Sequence, residues 1–274
     1  MLHHCPLYDP RIVTVIQVRT GSSRLPGKVL LPLAGKPLLV RMVQRVMHAS
    51  YTGTVVVATT TESEDDPIES ICHENGWNIY RGHPTDLLDR HYQAAKLFQA
   101  DAVVKIPSDC PLIDPTVIDK VLSVYLNNHP DVDFVSNLHP ATYPDGNDVE
   151  VMKFSVLETA WKEATLPMER EHTTPFIWER PDRFKLLNVF WETGLNYSMS
   201  HRWTIDYPED YNFICRVYDE LTDSNPNFGL NDILNLLKTK PEIFEINSKF
   251  AGVNWYRNHL DELKTVDASM TKKI

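Results

Sequence analysis

Short apolar runs rich in β-branched residues alternate with helix-patterned stretches through the first half of this chain. That alternation constrains the fold more than any other feature. Residues 12–18 form a β-branched run, and residues 37–48 then set Leu38, Met42 and Val46 at helical spacing. Residues 54–58 read as a second buried strand, 66–74 as a helix and 77–80 as a short third strand. Thr85 stands where a helix N-cap is expected, with Leu88, Tyr92, Ala95 and Gln99 along one face of the helix that follows. A strand over 102–106, a helix over 115–126 and a strand over 133–136 continue the rhythm. Strands this short and apolar, separated by helices, imply an α/β fold. Its central sheet is mainly parallel, with helices on both faces.

The second half departs from that rhythm. Residues 138–147 are rich in Pro and Gly and read as a loop. Residues 149–152, 184–190 and 202–205 read as strands, and 155–164 and 208–221 as helices. Periodicity is weak from Lys238 onward, and 266–274 is expected to be a frayed tail. No repeat or linker interrupts the chain, so 1–274 is expected to be one domain. Residues 138–197 are then an insertion on it and 239–274 a C-terminal extension.

Composition excludes several classes. Lys and Arg number 27 against 37 Asp and Glu, a formal net charge of −10, which disfavours general nucleic-acid binding through phosphate attraction. No apolar run approaches the roughly 20 residues that span a bilayer, and Met1–Pro10 has no signal-peptide pattern. Cys5, Cys72, Cys110 and Cys215 lie far apart and read as reduced structural thiols. A cytoplasmic protein is the expectation.

Ligands of open parallel sheets bind beyond the carboxyl ends of the strands. The first strand ends at Val18, and Arg19-Thr-Gly-Ser-Ser-Arg-Leu-Pro-Gly-Lys28 follows. Gly21 and Gly27 let backbone N–H groups turn toward an anion, while Arg19, Arg24 and Lys28 supply charge. A polyphosphate is the natural guest. The loop is not a Walker loop, since five residues separate its glycines and Val29 stands at the Ser/Thr position. At the end of the fourth strand, Asp109 shares the same sheet edge and suits Mg²⁺ held against phosphate oxygens. Asp114, before Pro115, is more simply a helix N-cap. Cys110 reads as a packed thiol, with no His placed beside it. In Arg202-Trp-Thr-Ile-Asp206-Tyr-Pro-Glu-Asp210, helix capping explains Glu209 and Asp210 but not Asp206, which is a second candidate metal ligand.

Two further sites leave alternatives open. His172, in Arg170-Glu-His-Thr-Thr-Pro175, reads as an acceptor-binding group or as an ordinary imidazole at a helix start. The Tyr143–Glu150 loop fixes a turn, or aims Asp148 and Glu150 at an acceptor's hydroxyls. Trp161, Trp178 and Trp191 sit among apolar neighbours and read as core or interface. No H-x-x-x-H or H-E-x-x-H pair is present, so a zinc hydrolase is disfavoured.

Taken together, these motifs resemble the cytidylyltransferase-like family that includes the spore coat polysaccharide protein SpsF. More distantly, they resemble the synthetases of CMP-activated sialic acid and 3-deoxy-manno-octulosonate. The resemblance runs from Ile12 to about Asp210. Its carriers are the Arg19–Lys28 loop, Val57-Ala-Thr-Thr60, Arg81-Gly82, Asp86-x-x-x-Arg90, Asp109-Cys-Pro-Leu-Ile-Asp114, Tyr143–Glu150, Arg170–Pro175 and Arg202–Asp206. It implies a nucleotide-diphospho-sugar transferase (Rossmann-like) fold, CTP as donor, Mg²⁺ as cofactor and a homodimer built from the inserted segment. Carried onto this chain, the nucleotide site would comprise Val18, Arg19, Gly21, Ser22, Ser23, Arg24, Lys28, Thr59, Arg81 and Asp109. Arg19, Lys28 and Asp109 would be catalytic, and Asp109 and Asp206 would hold the metal. Asp148, Glu150, Arg170, His172 and Arg202 would face the acceptor. The chain departs from the pattern at the acidic stretch 59–66 and at Lys105-Ile-Pro-Ser108.

The expected activity is transfer of CMP from CTP to an acidic sugar or a phosphorylated or phosphonate acceptor, with pyrophosphate release, for surface polysaccharide synthesis. A glycosyltransferase of the same fold would carry an Asp-x-Asp metal motif, where this chain has Asp109-Cys-Pro. A silent nucleotide-binding protein would be expected to have lost Lys28 or Asp109, and both are present.

Overall fold

The computed structural model describes residues 10–273, so Cys5, residues 1–9 of the N-terminal stretch and Ile274 lie outside the described residues. Strand β1 (Ile12–Gln17) runs into the basic loop, a small hairpin of β2 (Pro32–Leu33) and β3 (Lys36–Pro37), and helix α1 (Leu38–Met47). Then come β4 (Thr54–Thr60), α2 (Asp66–Asn75), β5 (Asn78–Gly82), α3 (Leu87–Leu97), β6 (Ala102–Pro107) and α4 (Pro115–Asn128). The chain continues through β7 (Phe134–Ser136), β8 (Glu150–Lys153), α5 (Phe154–Glu163), α6 (Pro167–His172), α7 (Pro175–Trp178) and β9 (Leu186–Asn188). It ends with α8 (Pro208–Leu221), α9 (Leu230–Thr239), α10 (Pro241–Phe244) and short 3₁₀ turns.

Seven strands form one sheet in the order β5-β4-β1-β6-β8-β7-β9. β5, β4, β1 and β6 pair in parallel, and β7 pairs in parallel with β9. β8 lies antiparallel between β6 and β7. β1 passes to β4 on one side while β6 lies on the other, so the sheet switches direction between β1 and β6. A crevice opens at the carboxyl ends of strands at such a point.

Apolar alternation along the strands explains the layering. Ile12 and Ile16 of β1 face Leu39, Met42 and Val43 of α1, with α2 and α4 on the same side. Val13 and Val15 face Leu88, Ala94 and Ala95 of α3, backed by α5, α6 and α7. A third cluster joins α8, α9 and the β2–β3 hairpin around Trp203, Phe213 and Phe228. The mainly parallel sheet with helices on both faces is as the sequence predicts.

Three local expectations change. The cap of α3 is Asp86, not Thr85, because the Asp86 carboxylate accepts from Asp89 N–H at 2.9 Å. Residues 202–205 are not a strand, and only one isolated bridge, Asp145–Arg202, forms there. Their backbone has two different partners instead: Trp203 N–H donates to the Asp145 carbonyl at 2.7 Å, and Ile205 N–H to that of Asp109 at 2.9 Å. The C-terminal stretch is docked, not frayed. Leu263, Val266 and Thr271 are buried, and the Glu179 carboxylate accepts from Lys264 and Thr265 N–H at 2.6 and 2.9 Å. Asp114 caps α4 as expected, accepting from Thr116 N–H at 2.7 Å.

Candidate active site

The loop after β1 is pinned at its start and turned at its end. Buried Asp65 accepts from both the N–H and the hydroxyl of Thr20 at 2.8 Å. Burial pushes its carboxyl up, but the hydrogen bonds from Thr60 and Thr20 outweigh that and hold it below the ordinary value. Ser22 and Gly27 N–H close back on the Thr20 carbonyl at 2.8 and 2.9 Å. Gly27 takes φ of +67°, which only glycine adopts freely, and so swings Lys28 inward.

Lys28 reaches across the switch point. Its Nζ lies 3.1 Å from Asp206 Oδ1 and 3.8 Å from Asp109 Oδ2, and donates to the Ile205 carbonyl at 2.5 Å. Arg24 Nη2 lies 2.6 Å from Asp206 Oδ1, and Arg202 Nη2 lies 3.1 Å from Oδ2. Burial raises the Asp206 carboxyl, yet Lys28 and Arg24 more than offset it, so Asp206 stays ionised below its ordinary range. Arg19 is exposed, with one long contact of 3.5 Å to the Pro84 carbonyl.

These residues open onto a cleft of about 1480 Å³. Val18, Arg19, Gly21, Ser22, Ser23, Arg24, Lys28, Asp109 and Asp206 line one end of it. Asp148, Glu150, Arg170, His172 and Arg202 also line it. Though far apart along the chain, the residues of the two expected subsites therefore line one cavity. Thr59 and Arg81 are not among its lining residues. Thr59 is buried in β4, and Arg81 is consumed by Asp66 at 2.7 Å, Glu69 at 2.6 Å and the carbonyls of Thr60 and Glu62.

Several of the groups expected to face an acceptor are committed to other partners in the protein. Glu150 pairs with Lys105, with His139 Nε2 at 3.9 Å. Burial raises the Glu150 carboxyl, but Lys105 outweighs it and the value falls to about 2. Burial and the nearby Asp109 charge push Asp148 up to about 6, and burial with Asp148 pushes Asp145 well above its ordinary value. Arg170 donates to Asp86 Oδ2 through Nε at 2.8 Å and Nη2 at 2.5 Å. Arg202 is buried and holds Asp210 two-pronged at 2.9 and 3.1 Å. Burial lowers His172 to about 3, so its imidazole is neutral. Cys110 is a buried thiol whose acidity burial suppresses, and Trp161 stacks on Tyr92 at 4.2 Å.

Other lining residues carry polar groups that sequence reasoning did not assign. Arg90 is 1% exposed, and its Nε and Nη1 have no hydrogen-bond partner among the described residues. Burial and the Arg19 charge lower it to about 10. Gln17 Oε1 is likewise buried without a partner. The clue available in sequence was a cation four residues after Asp86, on a helix face otherwise apolar.

A family model described as cytidylyltransferase matches residues 13–245. The chain is 36% identical to an uncharacterised protein of Methanocaldococcus jannaschii, covering 87% of this chain and 95% of that one. It is 28% identical to the spore coat polysaccharide biosynthesis protein SpsF of Bacillus subtilis, covering 84% and 95%. A solved cytidylyltransferase from Leptospira borgpetersenii superposes with a TM-score of 0.81 at 33% identity, covering 86% of this chain and 97% of that one. The CTP complex of a CMP-2-keto-3-deoxy-manno-octonic acid synthetase shares the fold, with a TM-score of 0.57 at 17% identity, covering 77% and 99%. A cationic glycine loop facing two carboxylates across the switch point, and a match over most of the chain, lead to one conclusion: this chain belongs to the cytidylyltransferase family.

Proposed function

We propose that this protein transfers the CMP group of CTP to a small acidic acceptor, a sugar acid or a phosphorylated compound, and releases pyrophosphate. The observation that carries the reading is Lys28 Nζ, 3.1 Å from Asp206 and 3.8 Å from Asp109 where the basic loop leaves the sheet. A polyphosphate entering there meets cations on one side and carboxylates on the other.

In the transfer, an acceptor oxygen bonds to the α-phosphorus. The bond from that phosphorus to the bridging oxygen breaks, and its electron pair leaves with pyrophosphate. A phosphate oxygen attacks already ionised and has no proton to lose, whereas the hydroxyl of a sugar acid passes its proton to water or to a carboxylate of the cleft as the bond forms. The protein's part is to position both reactants and neutralise charge, with Arg19 and Lys28 on the phosphates.

Asp109 and Asp206 supply the hard oxygen donors that Mg²⁺ prefers, and the Asp109 side chain keeps 31% exposure toward solvent. No group of three or more potential ligands gathers among the described residues. One or two carboxylates completed by substrate phosphates is the arrangement that fits such a site. When bound, Mg²⁺ supplies charge neutralisation at the phosphates. A homodimer, a cytoplasmic location and a product destined for surface polysaccharide belong to the same reading, the last supported by the relationship to SpsF.

Phosphorus NMR of the protein with Mg²⁺, each of four nucleoside triphosphates and an acceptor pool tests it. New CMP-linked signals beside pyrophosphate are expected with CTP. Consumption of a nucleotide sugar while CTP stays intact replaces this reading with a glycosyltransferase.

A further inference from the structure

The two carboxylates that suit a divalent cation hold cations of the protein's own. Lys28 Nζ has three oxygen neighbours: the Ile205 carbonyl at 2.5 Å, Asp206 Oδ1 at 3.1 Å and Asp109 Oδ2 at 3.8 Å. A carbonyl and two carboxylates are also the hard oxygen donors that a divalent cation seeks. The Lys28 side chain is only 12% exposed, so water screens its ammonium little. A metal ion and this ammonium therefore compete for the same oxygens.

The two oxygens of Asp206 are held in different ways. Oδ2 faces Arg202 Nη2 at 3.1 Å, and that buried guanidinium is fixed by Asp210 and by the Val253 carbonyl. Oδ1 faces the two loop cations, Lys28 and Arg24, the latter through Nη2 at 2.6 Å. Arg24 is exposed, and its guanidinium also lies 5.7 Å from the centroid of the Tyr207 ring. Oδ1 is thus the exchangeable side of the carboxylate, and both of its partners come from the loop that is to meet the phosphates.

A divalent cation on Oδ1 would stand beside two positive charges, which like-charge repulsion opposes. A triphosphate offers both loop cations a better partner, with more charge and more acceptor oxygens than one carboxylate. Drawing Lys28 and Arg24 onto the phosphates uncovers Oδ1 and relieves Asp109 at once. Linkage makes the coupling reciprocal: the factor by which the nucleotide raises metal affinity is the factor the metal returns to nucleotide affinity.

We propose that Lys28, assisted by Arg24, is an internal counter-cation that closes the Asp109–Asp206 pair to free divalent ions, and that a triphosphate opens the pair by taking both cations. The inference rests on the nucleotidyltransferase reading above.

Mn²⁺ titrations of the full-length protein without nucleotide test it, followed by the electron paramagnetic resonance signal of free Mn²⁺. CTP calorimetry in chelator and thermal melts accompany each variant. Lys28→Met should bind Mn²⁺ tenfold or more tighter than the wild type, while binding CTP tenfold or more weaker. Arg24→Met should show the same opposed pair of changes, each smaller. Arg19→Met removes an equal charge from the same loop without touching either carboxylate, and its Mn²⁺ affinity should stay within twofold of the wild type. Adding Asp206→Asn to Lys28→Met should erase the gain. Should Lys28→Met fail to fold, Arg24→Met carries the test. Equal Mn²⁺ affinity in the wild type and the folded variants, an equal gain in Arg19→Met, or a gain that survives Asp206→Asn overturns the proposal. Failure of the wild type to bind CTP, with or without Mn²⁺, overturns the nucleotide reading instead.

Discussion

Arg202 and Asp210 form a two-pronged ion pair beneath the cleft, Nε to Oδ1 at 2.9 Å and Nη2 to Oδ2 at 3.1 Å. Asp210 also accepts from the N–H groups of Asp206 and Tyr207 at 2.9 and 3.0 Å, so the pair sets the start of α8 and the aim of Asp206. Arg202 thus acts by positioning other groups. Arg202→Met should cost about 3–5 kcal/mol, because it leaves carboxylates buried without their partner. Denaturant unfolding reads this directly. A contact made only to the acceptor would instead raise the acceptor KM and leave stability unmoved.

Asp109 has few structural duties for its side chain, since its backbone carbonyl makes the bonds to Thr204 and Ile205. Asp109→Asn should therefore lower turnover by about two to three orders of magnitude, as losing one electrostatic contact to developing charge does, while the melting temperature stays nearly fixed. Normal turnover with Mg²⁺ restored after chelation would remove Asp109 from the proposed set of metal ligands.

Arg81 and Arg90 invite opposite expectations. Arg81 is engaged outside the cleft with Asp66 and Glu69, so Arg81→Ala should leave the KM for CTP within about twofold and cost up to about 1 kcal/mol of stability. Arg90 is buried in the cleft wall with two unpartnered nitrogens. Arg90→Met should hold or raise the melting temperature, because an incompletely satisfied buried charge is removed, while weakening nucleotide binding tenfold or more. Paired melts and CTP titrations check both.

His91 is buried, its Nδ1–H donates to the Leu87 carbonyl at 2.8 Å, and its Nε2 has no partner among the described residues. Burial lowers it to about 3 from an ordinary 6.5. Below pH 6.5 the unfolded chain takes up a proton that the folded chain refuses until about pH 3. The stability conferred by the neutral ring is present above 6.5 and drains away through that window, by up to about 1.4 kcal/mol per pH unit. The stability gap between wild type and His91→Met should shift by up to about 2 kcal/mol, against the wild type, between pH 7 and pH 5. Urea titrations at both pH values measure it.

The parallel half of the fold was legible because apolar period encodes burial: Ile12 and Ile16 point one way, Val13 and Val15 the other. The basic loop was legible because its cations and glycines are contiguous. Arg202-Trp-Thr-Ile205 misled because its alternation mimics a strand while its backbone pairs with two separate segments. The C-terminal stretch has almost no period. Asn254, Glu179 and Arg202 hold it by scattered bonds between side chain and backbone, and no spacing rule announces those. Arg90 escaped assignment for a related reason, since a cation within an amphipathic helix ordinarily reads as its solvated side.

The reversal of β8 has a practical corollary for redesign. At the other strands bordering the cleft, the segment that follows the strand reaches the working edge, so lengthening the preceding turn leaves the edge alone. β8 runs the opposite way, with Glu150 at its beginning paired in register with Lys105. What borders the cleft there is the stretch leading into the strand, Tyr143 to Val149. Insertions grafted ahead of Glu150 would reshape the pocket, and those placed after Lys153 would fall on the far rim. Chimeras that swap β8 with only the start of α5 would thus carry across the scaffold and spare the pocket, whose Arg170, His172 and Trp178 come later in that connection.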